Sequence, residues 1–448
     1  MCRAGMNVAR LNFSHGTHED HQKNIDMLKA VREELDIPLA ILLDTKGPEY
    51  RVGIFENGKV TVKEGDTFIF TTNDVVGNSG RVSVSYKNLA KELNTGDTIL
   101  VNNGLLSFRV EDTTDTEIIT TVTVGGEISG RKSMSFPGRV MKQVYLSEGD
   151  KRDIEFGVKN GVDFIACSFV STAKDIIDVK DYLSELGCTS ISLIAKIENQ
   201  SGVDNIESIC AECDGIMIGR GDMGVEIPFE EVPAIQKKLI TECRMLGKRV
   251  ITATEMLESM ITNSRPTRAE ISDVANAVFD GTSAIMLSGE TAAGKHPVLC
   301  VETMSKIAER AEKSVDYKTL FYNTDFRIKN SMDAISHSVC GMSMDIGAKA
   351  IVVCSISGIT ARMVSRFRSP VDIIGLSINE KTKNQLALSW GVDPILCDVY
   401  PSIEVLFYKA KEIAKRELGL KPGDKIIITG SDKMGEVGTT NTIRIATI

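Results

Sequence analysis

Lys196 and Glu198 alternate with Ile197 at the end of an apolar run, and three other segments share that arrangement. Arg10, Asn12 and Ser14 alternate with Ala9, Leu11 and Phe13; Asp44 and Lys46 flank Thr45; Arg220 and Asp222 flank Gly221. A spacing of two puts side chains on one face of a strand. Each segment therefore presents charge where packing alone would favour apolar groups. One such pair reads equally well as a solvated strand end. Four together do not, because charges taken out of water need partners or metals. The residue types point to anion chemistry. Glu198 and Asp222 offer carboxylate oxygens to Mg²⁺, which otherwise keeps waters and substrate oxygens. Arg10, Lys196 and Arg220 can hold a phosphate or steady charge that moves during a reaction. Phosphoryl transfer asks mainly for such positioning and electrostatics.

These groups need a scaffold that brings several strand ends together. PLAILLDT, from Pro38 to Thr45, is an apolar strand ending in polar residues. From about Val52 the texture changes to short alternating segments, KVTVKEGDTFIFTTN, RVSVSY, DTILVNNGLLSFRV and EIITTVTV, separated by Gly and Asn turns. They predict a small all-β domain ending near Phe136-Pro137-Gly138. Helix and strand then alternate. The expected strands are Asp163–Ser168, Ser192–Glu198, Gly215–Ile218, Arg249–Ala253 and Ser283–Leu287, near-continuous apolar runs of the kind buried on both faces. Helical stretches such as PAIQKKLITECRMLG separate them. Repeated parallel βα units predict an α/β fold of TIM-barrel type, with the β domain inserted after an early strand. Catalytic groups of such a barrel sit where its strands end. A last βα set begins near Ser331 and predicts a separate αβ open-sheet domain. The expected domains are 1–51 with 138–325 for the barrel, 52–137 for the inserted small β-barrel lid, and 326–448 at the C-terminus.

Bulk properties agree with this reading. A chain of 448 residues exceeds what one core holds, so about two to four domains are expected. The net charge of −9 supplies no basic surplus for nucleic acid, and no apolar run reaches membrane-spanning length. The first residues lack the apolar stretch of a signal peptide. The 10 Cys are scattered, as in a cytoplasmic protein with reduced, mostly buried thiols. Cys210 and Cys213 form a lone CxxC without a second pair, which argues against zinc.

Two other motifs carry less than they first suggest. Gly219-Arg-Gly221-Asp-Met-Gly224 fits a dinucleotide-loop pattern, but Pro228 interrupts the helix it would open. Gly289 to Lys295 resembles a Walker loop, yet His296 stands where a Ser or Thr belongs. His15, His18 and His21 read as ordinary residues at a helix start, since a spacing of three does not keep all of them on one face.

GMNVARLNFSHG (5–16), LLDTKGPE (42–49), AKIENQSGVDN (195–205), GRGDMGVEIP (219–228), ATEMLESMITNSRPTRAE (253–270) and DGTSAIMLSGETAAGK (280–295) resemble the signature blocks of the pyruvate kinase family. The resemblance runs in order through essentially the whole chain. It implies phosphoryl transfer from phosphoenolpyruvate to ADP, giving pyruvate and ATP. It also implies a need for Mg²⁺ (or Mn²⁺) and K⁺, a cytoplasmic location and a homotetramer. Lys196 would face the transferring phosphoryl group and the enolate oxygen, and Arg10 would grip that group. Glu198 and Asp222 would bind the divalent metal. Asn12, Ser14, Asp44 and Thr45 would hold K⁺. The backbone at Gly221 and Asp222 would cradle the substrate carboxylate. Thr254, with Ser288 nearby, would serve the route that protonates the enolate. Asn12, His15 and Arg51 would meet the nucleotide as the lid closes. The turn with Ser355, Ser357, Gly358 and Thr360 resembles the loop that receives a sugar-phosphate effector; read from the residues alone, it serves equally as a plain connection.

The chain departs from the family at several places. Family members often carry Ala where Gly219 stands, and Leu where Met223 stands. Members that work without K⁺ carry Lys where this chain has Glu49, so Glu49 implies K⁺ dependence. The family normally opens with a further strand, and Met1 falls inside the helix after it. The resemblance therefore implies a barrel lacking its first strand, with roughly 20–25 residues of one βα unit absent. Aldolases and lyases share parts of this chemistry, but the β insertion and the Lys196–Arg10 pair argue against them. Intact Lys196, Glu198 and Asp222 argue against a homologue kept only for binding.

Overall fold

The protein is described here from a computed structural model covering every residue except 434. Seven parallel strands form the central sheet in the order Val8–Asn12, Ala40–Asp44, Phe164–Cys167, Ser192–Ile197, Gly215–Gly219, Arg249–Ala253 and Ala284–Ile285. Alternation along these strands builds two layers. Ala40, Leu42, Phe164, Ala166, Ile194, Met217, Ile251 and Ala253 meet inside the curled sheet, with Val8 and Ala284 packed against them. The intervening Ile41, Leu43, Ile165, Cys167, Leu193, Ala195 and Ile197 face outward onto the helices. The inward register continues upward into Arg10, Asn12, Asp44, Ser168, Lys196 and Glu198. The candidate chemistry is thus the polar top layer of the barrel interior.

The first and last strands are the two edges of this sheet, and among the described residues no ladder joins them. The last strand covers Ala284–Ile285 rather than the expected Ser283–Leu287. It has a ladder partner on one side only, so fewer of its backbone groups are fixed. Helix starts follow local chemistry. Thr17, Ser147 and Thr267 cap the helices His18–Leu35, Glu148–Asn160 and Arg268–Asp280, each answered by an acid three residues on. Buried Asp163 ties one of these helices to the sheet. It accepts from Arg32 Nη2 at 2.9 Å and from the Ile41 amide at 2.8 Å.

Between the second and third barrel strands, an antiparallel-rich seven-stranded sheet and a two-stranded ribbon enclose their own core. Phe68, Phe70 and Phe108 are fully buried there, with ring centroids 5.0–5.7 Å apart. At the C-terminus lies a five-stranded sheet ordered Val392–Leu396, Asp372–Ser377, Ala350–Cys354, Lys425–Gly430 and Thr442–Thr447, with only the last strand antiparallel. Leu388 from this region is buried in the barrel interior cluster and plugs its floor. Among the described residues no helix is long and apolar enough to cross a membrane, and the ten cysteines are free thiols.

Candidate active site

Lys196 is the hub of the top layer. Its ammonium lies 3.0 Å from Glu198 Oε1 and 3.2 Å from Asp44 Oδ1, and donates to Ser168 Oγ at 2.7 Å. Arg10 Nε donates to the other Asp44 oxygen at 2.5 Å. Burial disfavours the charged form of Lys196, but Asp44 and Glu198 outweigh it and hold its pKa above the usual lysine range. Burial likewise works against the Asp44 carboxylate, yet Lys196 and Arg10 keep its pKa below the usual value. The interior of the barrel therefore carries a permanently charged ammonium, aimed by fixed partners.

Ser168 was not among the residues singled out from sequence, and it joins the parts. Its hydroxyl lies 3.1 Å from Asp44 Oδ1 and 2.7 Å from the Thr45 carbonyl, besides accepting from Lys196. Its own carbonyl accepts from the buried Tyr145 hydroxyl at 2.7 Å. Gly47, at φ +69°, passes so close that a Cβ would stand 2.9 Å from the Ser168 Cβ and carbonyl oxygen. The next residue, Phe169, has φ +55° and turns its amide onto Glu198 Oε2 at 2.8 Å. No charge marks Ser168 or Phe169 in the sequence. Only the polar end of the run Asp163–Ser168 hinted at them.

Glu198 is buried, and burial raises its pKa; Lys196 opposes the rise, while Asp222 adds to it. Asp222 shows one face to solvent but sits in the cleft, and desolvation there raises its pKa too, against Lys196. Glu49 adds to that rise, so it also lies near this cleft. The Asp222 charge raises the proton affinity of Glu198, whereas Glu198 lowers that of Asp222; two carboxyls so close together form a donor set suited to a divalent cation. One is fixed inside the protein and one opens to the cleft, which leaves room for substrate oxygens.

Arg220 does not share this role, which corrects the expectation from sequence. The segment Arg220–Glu226 is a helix, so a spacing of two no longer places Arg220 and Asp222 on one face. Arg220 turns away from the cleft. Its Nη1 reaches both Asp273 oxygens, at 2.7 and 2.8 Å, while Nη2 and Nε donate to the Thr254 carbonyl. Thr254 stands at φ +69° and Glu255 at φ +54°, a conformation costly for residues with a Cβ. Arg220 thus clamps the strained turn that aims Thr254. The Thr254 hydroxyl accepts from the Gly221 amide at 3.0 Å, which joins the turn to the helix start beside Asp222. Ser288 lies just beyond the neighbouring strand and donates its amide to buried Glu290 at 2.7 Å.

Asn12 and Asp44 are register partners on adjacent strands. Thr45 follows directly, and the Ser14 amide donates to Asn12 Oδ1 at 3.1 Å, so these four residues form one cluster. His15 is exposed on the same loop, and its carbonyl accepts from His21 Nε2 at 2.9 Å. His18 pairs with Asp153 at 2.6 Å. Arg51 lies at the start of the inserted domain, tied to Glu49 at 2.7 Å and to the Arg131 carbonyl at 2.8 Å. In the C-terminal sheet, Ser355, Ser357 and Gly358 form the turn after Ala350–Cys354, with Gly358 at φ +73°. Thr360 is buried and shares a 2.7 Å hydrogen bond with the Thr440 hydroxyl.

Comparison with known proteins bears on the whole chain. Residues 1–301 match the family described as pyruvate kinase, barrel domain, and residues 333–446 the pyruvate kinase alpha/beta domain. The pyruvate kinase of Clostridium acetobutylicum is 42% identical over 448 residues, covering 100% of this chain and 95% of that one. That of Geobacillus stearothermophilus is 43% identical over 451 residues, covering 100% of this chain and 77% of its own length. The crystal structure of a pyruvate kinase from Cryptosporidium parvum superposes with a TM-score of 0.95 at 38% identity, covering 100% of this chain and 92% of that one. With its curled parallel barrel, inserted β domain and αβ domain all matched, this chain belongs to the pyruvate kinase family, the enzymes that transfer the phosphoryl group of phosphoenolpyruvate to ADP.

Proposed function

We propose that Lys196 is the catalytic cation of this transfer. The observation that carries the reading is its burial between Asp44, Glu198 and Ser168, which fixes a full positive charge at the floor of the cleft. Arg10, braced by Asp44, grips the phosphoryl group. Lys196 faces the bridging oxygen of phosphoenolpyruvate. As that O–P bond breaks and a terminal phosphate oxygen of ADP bonds to phosphorus, the electron pair left on the enolate oxygen is met by the Lys196 ammonium. The Gly221 and Asp222 backbone holds the substrate carboxylate. A proton delivered by way of Thr254, with Ser288 close by, reaches the methylene carbon and completes pyruvate. Glu198 and Asp222 would hold Mg²⁺ or Mn²⁺, which when bound supplies positive charge to substrate oxygens. Asn12, Ser14, Asp44 and Thr45 would hold K⁺. Asn12, His15 and Arg51 would contact the nucleotide.

The same reading takes 1–51 with 138–325 as the catalytic barrel, 52–137 as the lid and 326–448 as the C-terminal domain; the separate core from Val52 to Phe136 supports the middle range. It takes the active form as a cytoplasmic homotetramer, with a sugar phosphate received by Ser355, Ser357 and Gly358. Thr360 would brace that turn through Thr440.

The test is pyruvate formation by the purified chain in a coupled assay, with ADP, Mg²⁺ and K⁺ omitted in turn. Turnover should need ADP and the divalent ion and fall sharply without K⁺. Undiminished turnover without a divalent ion would remove the role given to Glu198 and Asp222.

A further inference from the structure

Below the barrel, five arginines and a lysine line one small space. Arg244 comes from the helix Val232–Met245, and Lys248 and Arg249 lead into the strand Arg249–Ala253. Arg362, Arg366 and Arg368 come from the helix Ile359–Ser365 and the turn after it. The space is therefore shared between the barrel floor and the C-terminal sheet domain.

The charges there do not balance. Arg362 pairs with Asp214 at 3.1 Å, and Arg366 lies 3.0 Å from Asp333. Arg244, Lys248, Arg249 and Arg368 have no carboxylate within 4.0 Å among the described residues, so six cations face two acids. Their donors go to neutral partners instead. Lys248 reaches the Cys213 carbonyl at 2.7 Å, Arg249 the Ser389 hydroxyl at 3.2 Å, and Arg368 the Gly281 carbonyl at 2.7 Å. Arg368 also stacks over Trp390, 4.6 Å from the ring centroid. Burial pushes Arg249 and Arg368 down to about 9, and neighbouring Arg362 and Arg244 push the same way, against Asp214 near Arg249 and Tyr317 and Glu312 near Arg368.

Hydrogen bonds are also missing. Arg244, Arg249, Arg366 and Arg368 are 3–8% exposed. Arg244 Nε, Arg249 Nη1, Arg362 Nε, Arg366 Nε and Arg368 Nε are buried without an acceptor among the described residues. Arg366 Nη2 also lacks one: it is close to Asp333 in distance but not in hydrogen-bonding direction. Buried polar groups are rarely left so, and five arginines around one space are a concentrated exception. The open volume is about 10 Å³, about that of one water-sized body. A water molecule accepts two hydrogen bonds and neutralises nothing. A phosphate is too large. A spherical anion accepts from every side and offsets part of the surplus.

We infer that this cavity binds one monatomic inorganic anion of chloride size, which joins the C-terminal domain to the barrel floor. The site lies at the opposite end of the strands from the phosphoryl-transfer cleft and is independent of it. Leu388, which plugs the barrel, directly precedes Ser389, which bonds Arg249, so the bound ion would brace the same contact.

The test uses the full 448-residue chain. Thermal unfolding is followed in potassium salts of constant concentration while gluconate, too large for the cavity, is replaced by chloride. The melting temperature should rise by about 3 °C and level off as for a single site. Crystals grown with bromide should show one anomalous peak between Arg249 and Arg368. Arg249→Gln removes one of the crowded charges. It should lose the chloride-dependent rise while melting no lower than the parent in gluconate. Equal melting in chloride and gluconate, or a bromide crystal with no peak in the cavity, would overturn the site. A saturable response to phosphate with none to chloride would overturn it as well.

Discussion

Lys196, near the C-terminal end of its strand, has two carboxylates within 3.2 Å; Arg249, at the N-terminal end of a strand two places along, has none within 4.0 Å among the described residues. Both are buried in the same barrel. At the top, cations and acids interlock through Ser168 and Arg10, and the remaining imbalance is the Glu198–Asp222 pair, which suits a divalent ion. At the floor, cations are met by carbonyls, hydroxyls and an aromatic face, and the imbalance is positive. A charge is affordable in a protein interior when its neighbours were placed to meet it, and the sign of what is left over indicates what the site can receive. The top layer can receive a metal together with anionic substrate; the floor suits an anion.

Removing one cation from each end separates their roles. Lys196→Met should lower kcat by roughly a hundredfold or more in the coupled assay, because a cation facing developing negative charge in a partly dry site lowers the barrier strongly. Arg249→Met should leave kcat within about twofold, since it touches no reacting atom. A comparable loss in both would show that the two ends are not distinct.

The acids at the top give the next largest effect. Asp222→Asn keeps the shape and removes the charge. It should weaken Mg²⁺ and phosphoenolpyruvate binding together, by about tenfold or more, as read from titrations of each against the other. Matching titrations in parent and variant would take Asp222 out of the metal set.

Arg220 distinguishes a substrate contact from a brace. Its guanidinium is committed to Asp273 and to the strained turn at Thr254. Arg220→Lys has one nitrogen and cannot hold Asp273 and the Thr254 carbonyl together, so kcat should fall by about tenfold while the KM for phosphoenolpyruvate stays near the parent value. A rise in that KM with kcat preserved would restore the phosphate-holding role that the sequence suggested.

The smallest effect concerns Glu49, which pairs with Arg51 at 2.7 Å and Lys46 at 3.6 Å. Glu49→Lys places a positive charge close to the proposed K⁺ cluster. Activity measured without K⁺ should rise by a few fold relative to the parent, with little change when K⁺ is present. No gain without K⁺ would separate Glu49 from the ion's site.

Much of this architecture was legible because barrel strands end abruptly. Runs such as AILLD and SLIAKI stay near-continuously apolar up to the residue where charge appears, and that break marks the top of the barrel. Arg220 was misassigned for a local reason. A helix begins at that residue, and the alternation rule stops applying one position earlier than the sequence shows. Ser168 was missed because a hydroxyl after an apolar run is unremarkable until Asp44, Thr45 and Lys196, far apart in sequence, close around it. The arginines of the floor were invisible for the same reason. In RMLGKR and ARMVSRFR nothing marks them as neighbours, and only tertiary packing buries them against one another.

The claim at the centre of this account is that the Lys196 charge acts on the reacting atoms and not on substrate capture. The most direct measurement is a rapid-quench single turnover. Parent and Lys196→Met are each saturated with phosphoenolpyruvate, Mg²⁺ and K⁺ and mixed with ADP, and the ATP formed is followed in time. The chemical step should slow by about a hundredfold or more, with phosphoenolpyruvate affinity held within about threefold. An unchanged rate of ATP formation on the enzyme, with the deficit confined to binding, would contradict it.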